Sequence, residues 1–305
     1  MKILITGKNG YVATMLTTYL QQEKWNSGYE VTGISLRNDD WRTIDFPQYD
    51  AVVHTAGIAH VDIAEKQSAE YEQQKKEYDR VNHQLTVEVA KKAKESGVKQ
   101  FIFLSSIIVY GESARTGKDK LIGRETDTAP VNFYGESKLL AEQDLAPLSD
   151  EQFTVSILRL PMVYGPGCKG NFRLLKKVAK LLPIFLKSTG SRSMIYIDNL
   201  CECIRLIAEH RLSGLFCPQN REYVNTAELM KNLRGAYGKK LLVVPGFQWL
   251  LSCLGAGKGK LSIVVNKVFG SLRYEKSFGI LQNGMDYQIV SFEDSVKASV
   301  EEDAF

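Results

Sequence analysis

The sequence predicts an α/β protein with a doubly wound parallel sheet and a small C-terminal α/β lobe. Within residues 2–20 an apolar strand runs through a glycine turn into a helix, an order that presents backbone N–H groups to a diphosphate. Apolar runs at 51–57, 101–106 and 154–159 are typical of strands in the interior of a parallel sheet. A long helical pattern at 69–96 lies between two of these runs, where a parallel sheet needs a crossover helix.

The composition is that of an ordinary globular chain. Its 305 residues are 44% apolar and 24% charged, which leaves room for one large domain, or for a domain with a smaller lobe. The net charge of +4 is too small to indicate a nucleic-acid partner. The five cysteines lack the spacing of a zinc site, so we expect free thiols, a reducing compartment and no metal.

The start of the chain and its apolar stretches predict a cytoplasmic protein with no membrane span. Met1 leads directly into the first strand, without a signal peptide. The longest apolar stretches, 181–186 and 247–254, are shorter than the ~20 residues that a helix needs to cross a bilayer. We therefore expect a cytoplasmic enzyme of bacterial type.

The glycine turn is the first candidate site. Its pattern is T-G-x-x-G-x-x-A over residues 6–13, between a strand at 2–6 and a helix with an apolar face. This context predicts a dinucleotide site, because the turn lets the backbone approach a diphosphate at the helix N-terminus. The residues expected to contact the dinucleotide are Gly7, Asn9, Gly10, Tyr11 and Val12.

The end of the second predicted strand, at 30–35, bears on which dinucleotide binds. NAD sites usually carry an acidic residue there, which grips the ribose 2′-hydroxyl. Here the strand ends in Ser35-Leu36-Arg37, which offers a hydroxyl and a guanidinium to a 2′-phosphate. Asp39 and Asp40 follow closely and could bend back to serve NAD. We favour NADP over NAD.

The third strand, at 51–57, ends in the small residues Thr55, Ala56 and Gly57, which allow a cofactor to pass close to the backbone. His60 comes just beyond, where it would be either a substrate contact or a structural histidine. The helical pattern at 69–96 then ends at Gly97, a residue suited to a helix C-terminus.

The strand at 101–106 ends in Ser105 and Ser106, and a Y-x-x-x-K motif follows at Tyr134 and Lys138. Residues four apart share one face of a helix, so the phenol and the ammonium can point into one pocket. A free tyrosine titrates near ~10, and a neighbouring cation favours its phenolate and lowers that pKa. Tyr134 would then exchange a proton with a substrate oxygen.

Together with S-S-x-x-V-Y-G at 105–111, these motifs resemble the extended short-chain dehydrogenase/reductase superfamily, and within it the enzymes that modify nucleotide sugars. The resemblance implies a Rossmann-type fold in which Ser106 hydrogen-bonds the reacting sugar oxygen, Tyr134 transfers the proton and Lys138 orients the ribose. It also places Ser105 at the nicotinamide and gives Asn82 the task of bracing the active-site strand. By the same resemblance Asn82, Tyr134 and Lys138 are expected to contact the cofactor. The family's 4,6-dehydratases carry Asp-Glu where Ile107 and Ile108 stand, so dehydration is not expected.

The segment that follows the strand at 154–159 also matches this family. It reads L-P-M-V-Y-G-P-G and resembles R-P-x-N-V-Y-G-P-G, with Pro161 expected at the cofactor. Met162 stands where UDP-glucose 4-epimerases usually have asparagine, and a thioether cannot replace the hydrogen bonds of that asparagine. By the same resemblance Arg192 clamps the sugar-nucleotide diphosphate, and Asn171 joins His60 and Ser106 among the expected substrate contacts.

The rest of the chain is expected to close over the substrate. A helix at 170–182 has an apolar face opposite Lys176, Lys177 and Lys180, which we expect to be solvated. The stretch 247–268 mixes apolar residues with lysines and fits a membrane-surface helix or a helix packed within the lobe; we favour the packed helix. The predicted domains are a dinucleotide-binding domain at 1–164, joined by 192–218, and a substrate lobe at 165–191 and 219–305.

Two activities fit these motifs. A 4-keto reductase binds exchangeable NADPH and delivers hydride once to a nucleotide sugar, and the motifs resemble reductases that make UDP-N-acetyl-quinovosamine-type deoxysugars. A UDP-hexose 4-epimerase keeps one NAD tightly bound and reduces its own ketone from the opposite face. The absent acid near Ser35 and the thioether at Met162 favour the reductase. A regulator that senses NAD(P) is a third class, and a homodimer formed through 69–96 and 134–145 is common in the superfamily.

Overall fold

The structure is a computed structural model that describes residues 1–59, 68–257 and 259–301. The strands are β1 (Lys2–Thr6), β2 (Glu30–Ile34), β3 (Ala51–His54), β4 (Gln100–Ser106), β5 (Leu121–Ile122), β6 (Thr154–Leu160), β7 (Met162–Tyr164), β8 (Ile184–Leu186), β9 (Ser191–Arg192), β10 (Met194–Tyr196), β11 (Gly214–Phe216), β12 (Val224–Asn225), β13 (Leu242–Val244) and β14 (Arg273–Tyr274). The helices are α1 (Tyr11–Leu20), α2 (Ala69–Tyr78), α3 (Leu85–Glu95), α4 (Phe133–Leu145), α5 (Asn171–Leu181), α6 (Ile197–Glu209), α7 (Thr226–Ala236), α8 (Gln248–Ala256), α9 (Lys260–Phe269) and α10 (Phe292–Glu301).

Six parallel strands form the central sheet, in the order β11-β6-β4-β3-β1-β2. The predicted fold class is confirmed. The chain steps from β1 to β2 on one side and then returns to β3 on the other side of β1. Parallel sheets open a crevice at such a reversal, at the carboxyl ends of the strands, and this is where they bind ligands.

Both faces of the sheet are buried, because successive side chains along each strand point in opposite directions. Along β1, Ile3 and Ile5 join a core with α1 and α6, whereas Leu4 joins a second core with α3 and α4. This burial accounts for the unbroken apolar sequence of β4, which is inaccessible on either side.

The helical pattern at 69–96 is confirmed. It forms α2 and α3 with a π-helical segment, Asp79–Gln84, between them. Gly97 follows at φ +78°, a left-handed conformation that glycine adopts without strain.

The C-terminal part of the chain is built from α5, α7–α10 and short two-stranded pairs. These pairs are β7 with β10, β9 with β12, β8 with β13, and β5 with β14. The division into two domains stays a prediction. Lys176 contradicts the expected solvated face, because it is 5% exposed and its ammonium donates to the Ser299 carbonyl at 3.0 Å across the α5–α10 contact.

All five cysteines are free thiols. None of the described helices is both long enough and apolar enough to cross a membrane.

Candidate active site

Helix α4 carries Tyr134 and Lys138 on one face, as predicted. Asn132 caps the helix, since its side-chain oxygen accepts a hydrogen bond from the Gly135 N–H at 2.9 Å. Tyr134 is half-buried, whereas Lys138 is buried and donates to the Leu104 carbonyl on β4 at 2.9 Å. The phenol and the ammonium therefore lie over the carboxyl end of the sheet, beside β4.

The proton affinities of this pair differ from the expectation. Burial raises the pKa of the Tyr134 phenol, the Ser106 side chain lowers it through a hydrogen bond, and Tyr78 adds to the rise. The expected lowering of this pKa by Lys138 is wrong for this structure, because the ammonium is turned to the Leu104 carbonyl and is itself desolvated. Burial lowers the pKa of Lys138 to about 8, against an opposing effect of Glu142. Tyr134 is thus a protonated phenol at neutral pH.

Ser106 and Tyr134 meet because α4 approaches the turn after β4 closely. The Ser106 side chain accepts from the Ile108 N–H and reaches the phenol of Tyr134. Gly135 makes this approach possible, since a Cβ there would lie 3.1 Å from the Ile108 carbonyl oxygen. The three predicted catalytic groups, on Ser106, Tyr134 and Lys138, therefore lie at one site.

Asn82 holds the loop that follows β3. It lies in the π-helical segment, a feature frequent at functional sites. Its side chain accepts from the Ile58 N–H at 2.7 Å and donates to the Ile58 carbonyl at 3.0 Å and to the Ser137 hydroxyl at 3.2 Å. Asn82 is fully buried, so its action on a cofactor would be exerted through this loop. A direct cofactor contact stays a prediction.

Gly57 lies between Asn82 and Lys138. A Cβ there would lie 2.9 Å from Asn82 Oδ1 and 3.4 Å from Lys138 Nζ. The residue itself is exposed, so the backbone at this point is open to a ligand next to Lys138.

The glycine turn lies against the same loop. Gly7 has φ +77°, and a Cβ there would come within 2.9 Å of the Ala56 backbone, so only glycine fits. Thr55 donates to the Thr6 carbonyl at 2.7 Å, which fixes the loop beside the turn. Gly10 precedes α1 without a side-chain cap, and this leaves the N–H groups of the first helical turn for a phosphate.

The other residues predicted to contact the dinucleotide differ in their burial. Asn9 is exposed at the turn, Val12 is half-buried and Pro161 is buried between β6 and β7. Tyr11 directs its hydroxyl into the protein, where it would meet a Cβ added at Gly165 at 2.7 Å. The backbone N–H of Tyr11, rather than its phenol, is therefore suited to binding a phosphate.

No carboxylate stands at the end of β2 itself, and the two that follow it are exposed and have local partners. Asp39 accepts from Arg42 at 2.9 Å, and Asp40 accepts from Asn38. Arg37 is exposed, and its guanidinium forms no hydrogen bond or ion pair with the part of the chain that the structure describes. Ser35 lies next to the glycine turn, because the adjacent Ile34 carbonyl accepts from the turn N–H groups.

A cavity of about 200 Å³ brings together the predicted substrate residues of the C-terminal part. Arg192 and Asn171 line it with Met162, and most of its remaining lining is apolar. The Arg192 guanidinium donates to the Val268 and Gly270 carbonyls at 3.3 and 3.1 Å, while its Nε is buried with no partner among the described residues. Burial lowers the pKa of Arg192 to about 10. His60 lies outside the described residues.

Comparison with known proteins assigns the chain to a family. Residues 3–215 match the model of the NAD dependent epimerase/dehydratase family. The chain belongs to this family. It is therefore an NAD(P)-dependent enzyme of the short-chain dehydrogenase/reductase type, and the alternative of a non-catalytic sensor is set aside.

Relatives within the epimerase/dehydratase family cover nearly the whole chain. A UDP-glucose 4-epimerase from Vibrio cholerae is 32% identical over 294 residues, which are 90% of this chain and 87% of the relative. Two solved structures share the fold. The UDP-glucuronic acid 4-epimerase from Bacillus cereus, in complex with NAD, has a TM-score of 0.71 at 19% identity and covers 99% of this chain and 98% of its own. RMD from Pseudomonas aeruginosa, complexed with NADPH, has a TM-score of 0.73 at 18% identity and covers 99% of each chain.

Two features of this family member were not predicted from its sequence. The first is His54, which is buried behind the glycine turn between Thr6 and Thr86, with ring nitrogens 3.0 Å from each hydroxyl. Thr86 donates its own proton to the Asn82 carbonyl, so it accepts from His54 Nε2–H, and Nδ1 accepts from Thr6. The imidazole is neutral, and burial lowers its pKa to about 3, with Lys138 adding to the shift.

The second feature is a buried ion pair between Glu142 and Arg159. The Arg159 guanidinium donates to both oxygens of the Glu142 carboxylate, at 2.6 to 3.1 Å. Ser105 donates to the same carboxylate, so its hydroxyl faces α4, and its place at the nicotinamide stays a prediction. Glu142 stands four residues after Lys138 on the same helix face, and that spacing was the sequence signal for it.

Proposed function

We propose that this enzyme is an NADPH-dependent 4-keto reductase of a UDP-linked sugar. The observation that supports the proposal is at the end of β2, where the Arg37 guanidinium is exposed and unpaired among the described residues, while Asp39 and Asp40 each have a local partner. A site of this kind favours NADP(H), which many reductases take up and release in each turnover. An epimerase, in contrast, must retain its dinucleotide through both half-reactions.

The nicotinamide cofactor supplies the hydride that reaches C4 of the sugar. Tyr134 is the group that would donate a proton to the sugar O4, since its phenol is protonated at neutral pH and lies beside Ser106. Ser106 polarises the same oxygen by hydrogen bonding, from its position beside the phenol. Lys138 supplies positive charge below its pKa of about 8 and lies beside Gly57, where a ribose hydroxyl would reach it.

The substrate class is inferred from the cavity and the relatives. Arg192 lines the cavity and its Nε–H has no partner among the described residues, which supports a role as a clamp for a diphosphate. The Vibrio cholerae relative is named for UDP-glucose, which supports a UDP sugar here. Asn171 opens α5 at the same cavity and is placed for a further hydrogen bond to the substrate.

The second candidate is a UDP-hexose 4-epimerase with tightly bound NAD. It is favoured by the name of the 32% identical relative, which covers most of both chains. Against it stands Met162, which lines the substrate cavity with a thioether where the epimerases usually have an asparagine.

The deciding experiment releases and identifies the dinucleotide of the purified protein. The reductase predicts a largely empty site and stoichiometric oxidation of added NADPH by a UDP-4-keto-6-deoxy-N-acetylhexosamine. Stoichiometric bound NAD, together with interconversion of UDP-glucose and UDP-galactose without added cofactor, would establish the epimerase instead.

The cofactor assignment has its own test in a pair of variants. Arg37→Ala removes the guanidinium expected at the 2′-phosphate, so the KM for NADPH should rise roughly tenfold or more while that for NADH changes little. Asp40→Ala is the matched control at the same strand end and should leave the NADPH value unchanged. A selective loss of NADH affinity in Asp40→Ala would reverse the assignment.

A further inference from the structure

The charge of this chain is strongly segregated along the sequence. Two segments, 152–197 and 229–274, contain no aspartate or glutamate. Each carries eight basic residues, at positions 159, 169, 173, 176, 177, 180, 187 and 192 in the first, and 231, 234, 239, 240, 258, 260, 267 and 273 in the second. The modest net charge of +4 therefore conceals a basic C-terminal part and an acidic remainder.

Half of the sixteen basic groups lie at the protein surface. Eight of them are exposed: Lys169, Arg173, Lys177, Lys187, Lys231, Lys239, Lys240 and Lys267. None of the eight forms a salt bridge with a carboxylate within the described ranges. Their charge is thus not neutralised within the described chain and is presented to the surroundings.

The same two segments expose an unusual amount of apolar surface. Sixteen large apolar side chains of the described chain are exposed, and ten of them lie in these segments: Leu174, Leu181, Leu182, Ile184, Leu242, Phe247, Trp249, Leu261, Ile263 and Val264. The two most exposed, Leu181 and Trp249, have 78% and 66% of their surface accessible. Clusters of exposed apolar residues in a globular protein mark interaction surfaces.

The exposed apolar residues belong to elements that are neighbours in space. Ile184 of β8 is the register partner of Leu242 of β13, and the Lys187 N–H continues this pairing to the Val244 carbonyl. On α9, Phe269 packs its ring 5.5 Å from that of Phe185. Helices α8 and α9 are packed in the lobe, as favoured from the sequence, yet both keep an exposed apolar side.

This surface also borders the substrate cavity. Leu174 of α5, together with Val264 and Lys267 of α9, is exposed and lines the cavity that contains Arg192. A partner seated here would lie beside the diphosphate clamp.

We propose that these segments form a docking surface for an anionic phospholipid bilayer. Uncompensated lysines attract an anionic lipid surface, and neighbouring leucine, isoleucine and tryptophan side chains insert between its headgroups. Both properties occur together here, on α5, β8, β13, α8 and α9. Docking places the mouth of the substrate cavity at the membrane surface, and this inference is independent of whether the enzyme is a reductase or an epimerase.

Two other occupants fit less well. A second copy of the chain would bring two uncompensated basic surfaces together, which is electrostatically unfavourable. A nucleic acid would match the charge but would leave the apolar side chains on the outer sides of α8 and α9 without a partner.

Vesicle co-sedimentation tests the proposal. The full chain is mixed with vesicles of phosphatidylcholine alone, or of phosphatidylcholine and phosphatidylglycerol at three to one. Binding is expected only to the anionic vesicles, and it should weaken markedly at high salt because exposed charges are screened there. The Lys177→Gln/Lys187→Gln variant should bind roughly twenty-five-fold more weakly, since each lysine near such a surface contributes about fivefold in affinity.

The apolar contribution has a matched control. Trp249→Ser should weaken vesicle binding severalfold, whereas Ile280→Ser should not, although Ile280 is equally exposed at 65% and lies outside both segments. Thermal melting of each variant checks that the fold is intact. Equal binding of the wild type to neutral and anionic vesicles, or none to either, would overturn the proposal. Two further results would overturn it. One is tight binding to duplex DNA that Trp249→Ser weakens while vesicle binding stays unchanged, and the other is a dimer in light scattering that Trp249→Ser disrupts while vesicle binding stays unchanged.

Discussion

At the level of single residues, the phenol of Tyr134 gives the sharpest test of the proposed chemistry. We expect Tyr134→Phe to lower kcat by about 10²- to 10⁴-fold, the usual contribution of a positioned general acid. Binding of NADPH should be unchanged, because the ring remains in its contact with Tyr78. Steady-state kinetics and cofactor titration measure the two effects. Tyr71→Phe is the control, since it removes a hydroxyl from the same aromatic cluster without touching Ser106; equal losses in both variants would show that Tyr134 acts only by packing.

His54 gives a prediction about stability and pH. Its pKa is about 3 in the folded protein and ~6.5 when unfolded, so between these values the unfolded chain binds the extra proton and folding weakens as the pH falls. From pH 7 to pH 5 this one group should remove about 2 kcal/mol of the free energy of unfolding.

The measurement for His54 is urea denaturation of wild type and His54→Asn at both pH values. All other titrating groups are common to the two proteins, so the advantage of the wild type over the variant should shrink by that amount at pH 5. An advantage that is equal at both pH values would show that the imidazole does not stay neutral on folding.

At the level of elements, the strands and the glycine turn could be predicted because their signals are local. An apolar run such as β4, or a turn that only Gly7 can occupy, is visible in a few consecutive residues. The π-helical segment was not predictable, since its sequence continues the helical pattern on both sides. The π-helical segment differs from the helices beside it through the contact of Asn82 with the loop at Ile58, and the hydrophobic periodicity of the sequence does not reveal that contact.

Asn82 tests what the π-helical segment does. Asn82→Ala leaves the N–H and carbonyl of Ile58 unpaired, which should cost about 1–3 kcal/mol of the free energy of unfolding. The loop that carries Gly57 should also shift, so the KM for the cofactor should rise. His83→Asn, at the next position, breaks contacts with Asp79 and Asp144 only and should leave that KM unchanged. If the two variants raised the KM alike, the segment would be structural rather than a brace for the cofactor loop.

At the level of the whole molecule, the net charge conceals how the charged residues are distributed along the chain. A net charge of +4 is an average, and the separation of acidic from basic segments is seen only when charges are counted along the chain. The long-range links were also out of reach. Strand β14 pairs with β5 although about half the chain lies between them, and Lys176 ties α5 to the end of α10. Such contacts form only when segments distant in sequence pack together in the folded chain. The homodimer contact stays a prediction.

The ion pair between Glu142 and Arg159 is the strongest of these links near the active site. It joins α4 to β6, and Arg159 extends it to the Tyr110 hydroxyl at 2.5 Å and, through its carbonyl, to the Tyr274 hydroxyl at 3.0 Å. Both charged side chains are nearly inaccessible, at 5% for Glu142 and 12% for Arg159. Removing the Arg159 charge leaves the Glu142 carboxylate buried without a partner, so Arg159→Met should cost about 3–5 kcal/mol of the free energy of unfolding.

The double variant Glu142→Leu/Arg159→Met separates the charge from the packing. Because the double variant removes both buried charges, it should recover much of the free energy of unfolding that Arg159→Met loses. About 1 kcal/mol should remain lost, because the Ser105 hydroxyl no longer has its acceptor. Urea denaturation of the four proteins gives the coupling energy. Additive losses in the two single variants would mean that Arg159 and Glu142 are each stabilised by water rather than by one another. The position of α4 on the sheet would then depend on apolar packing and on the hydrogen bond from Lys138 to the Leu104 carbonyl, and not on this ion pair.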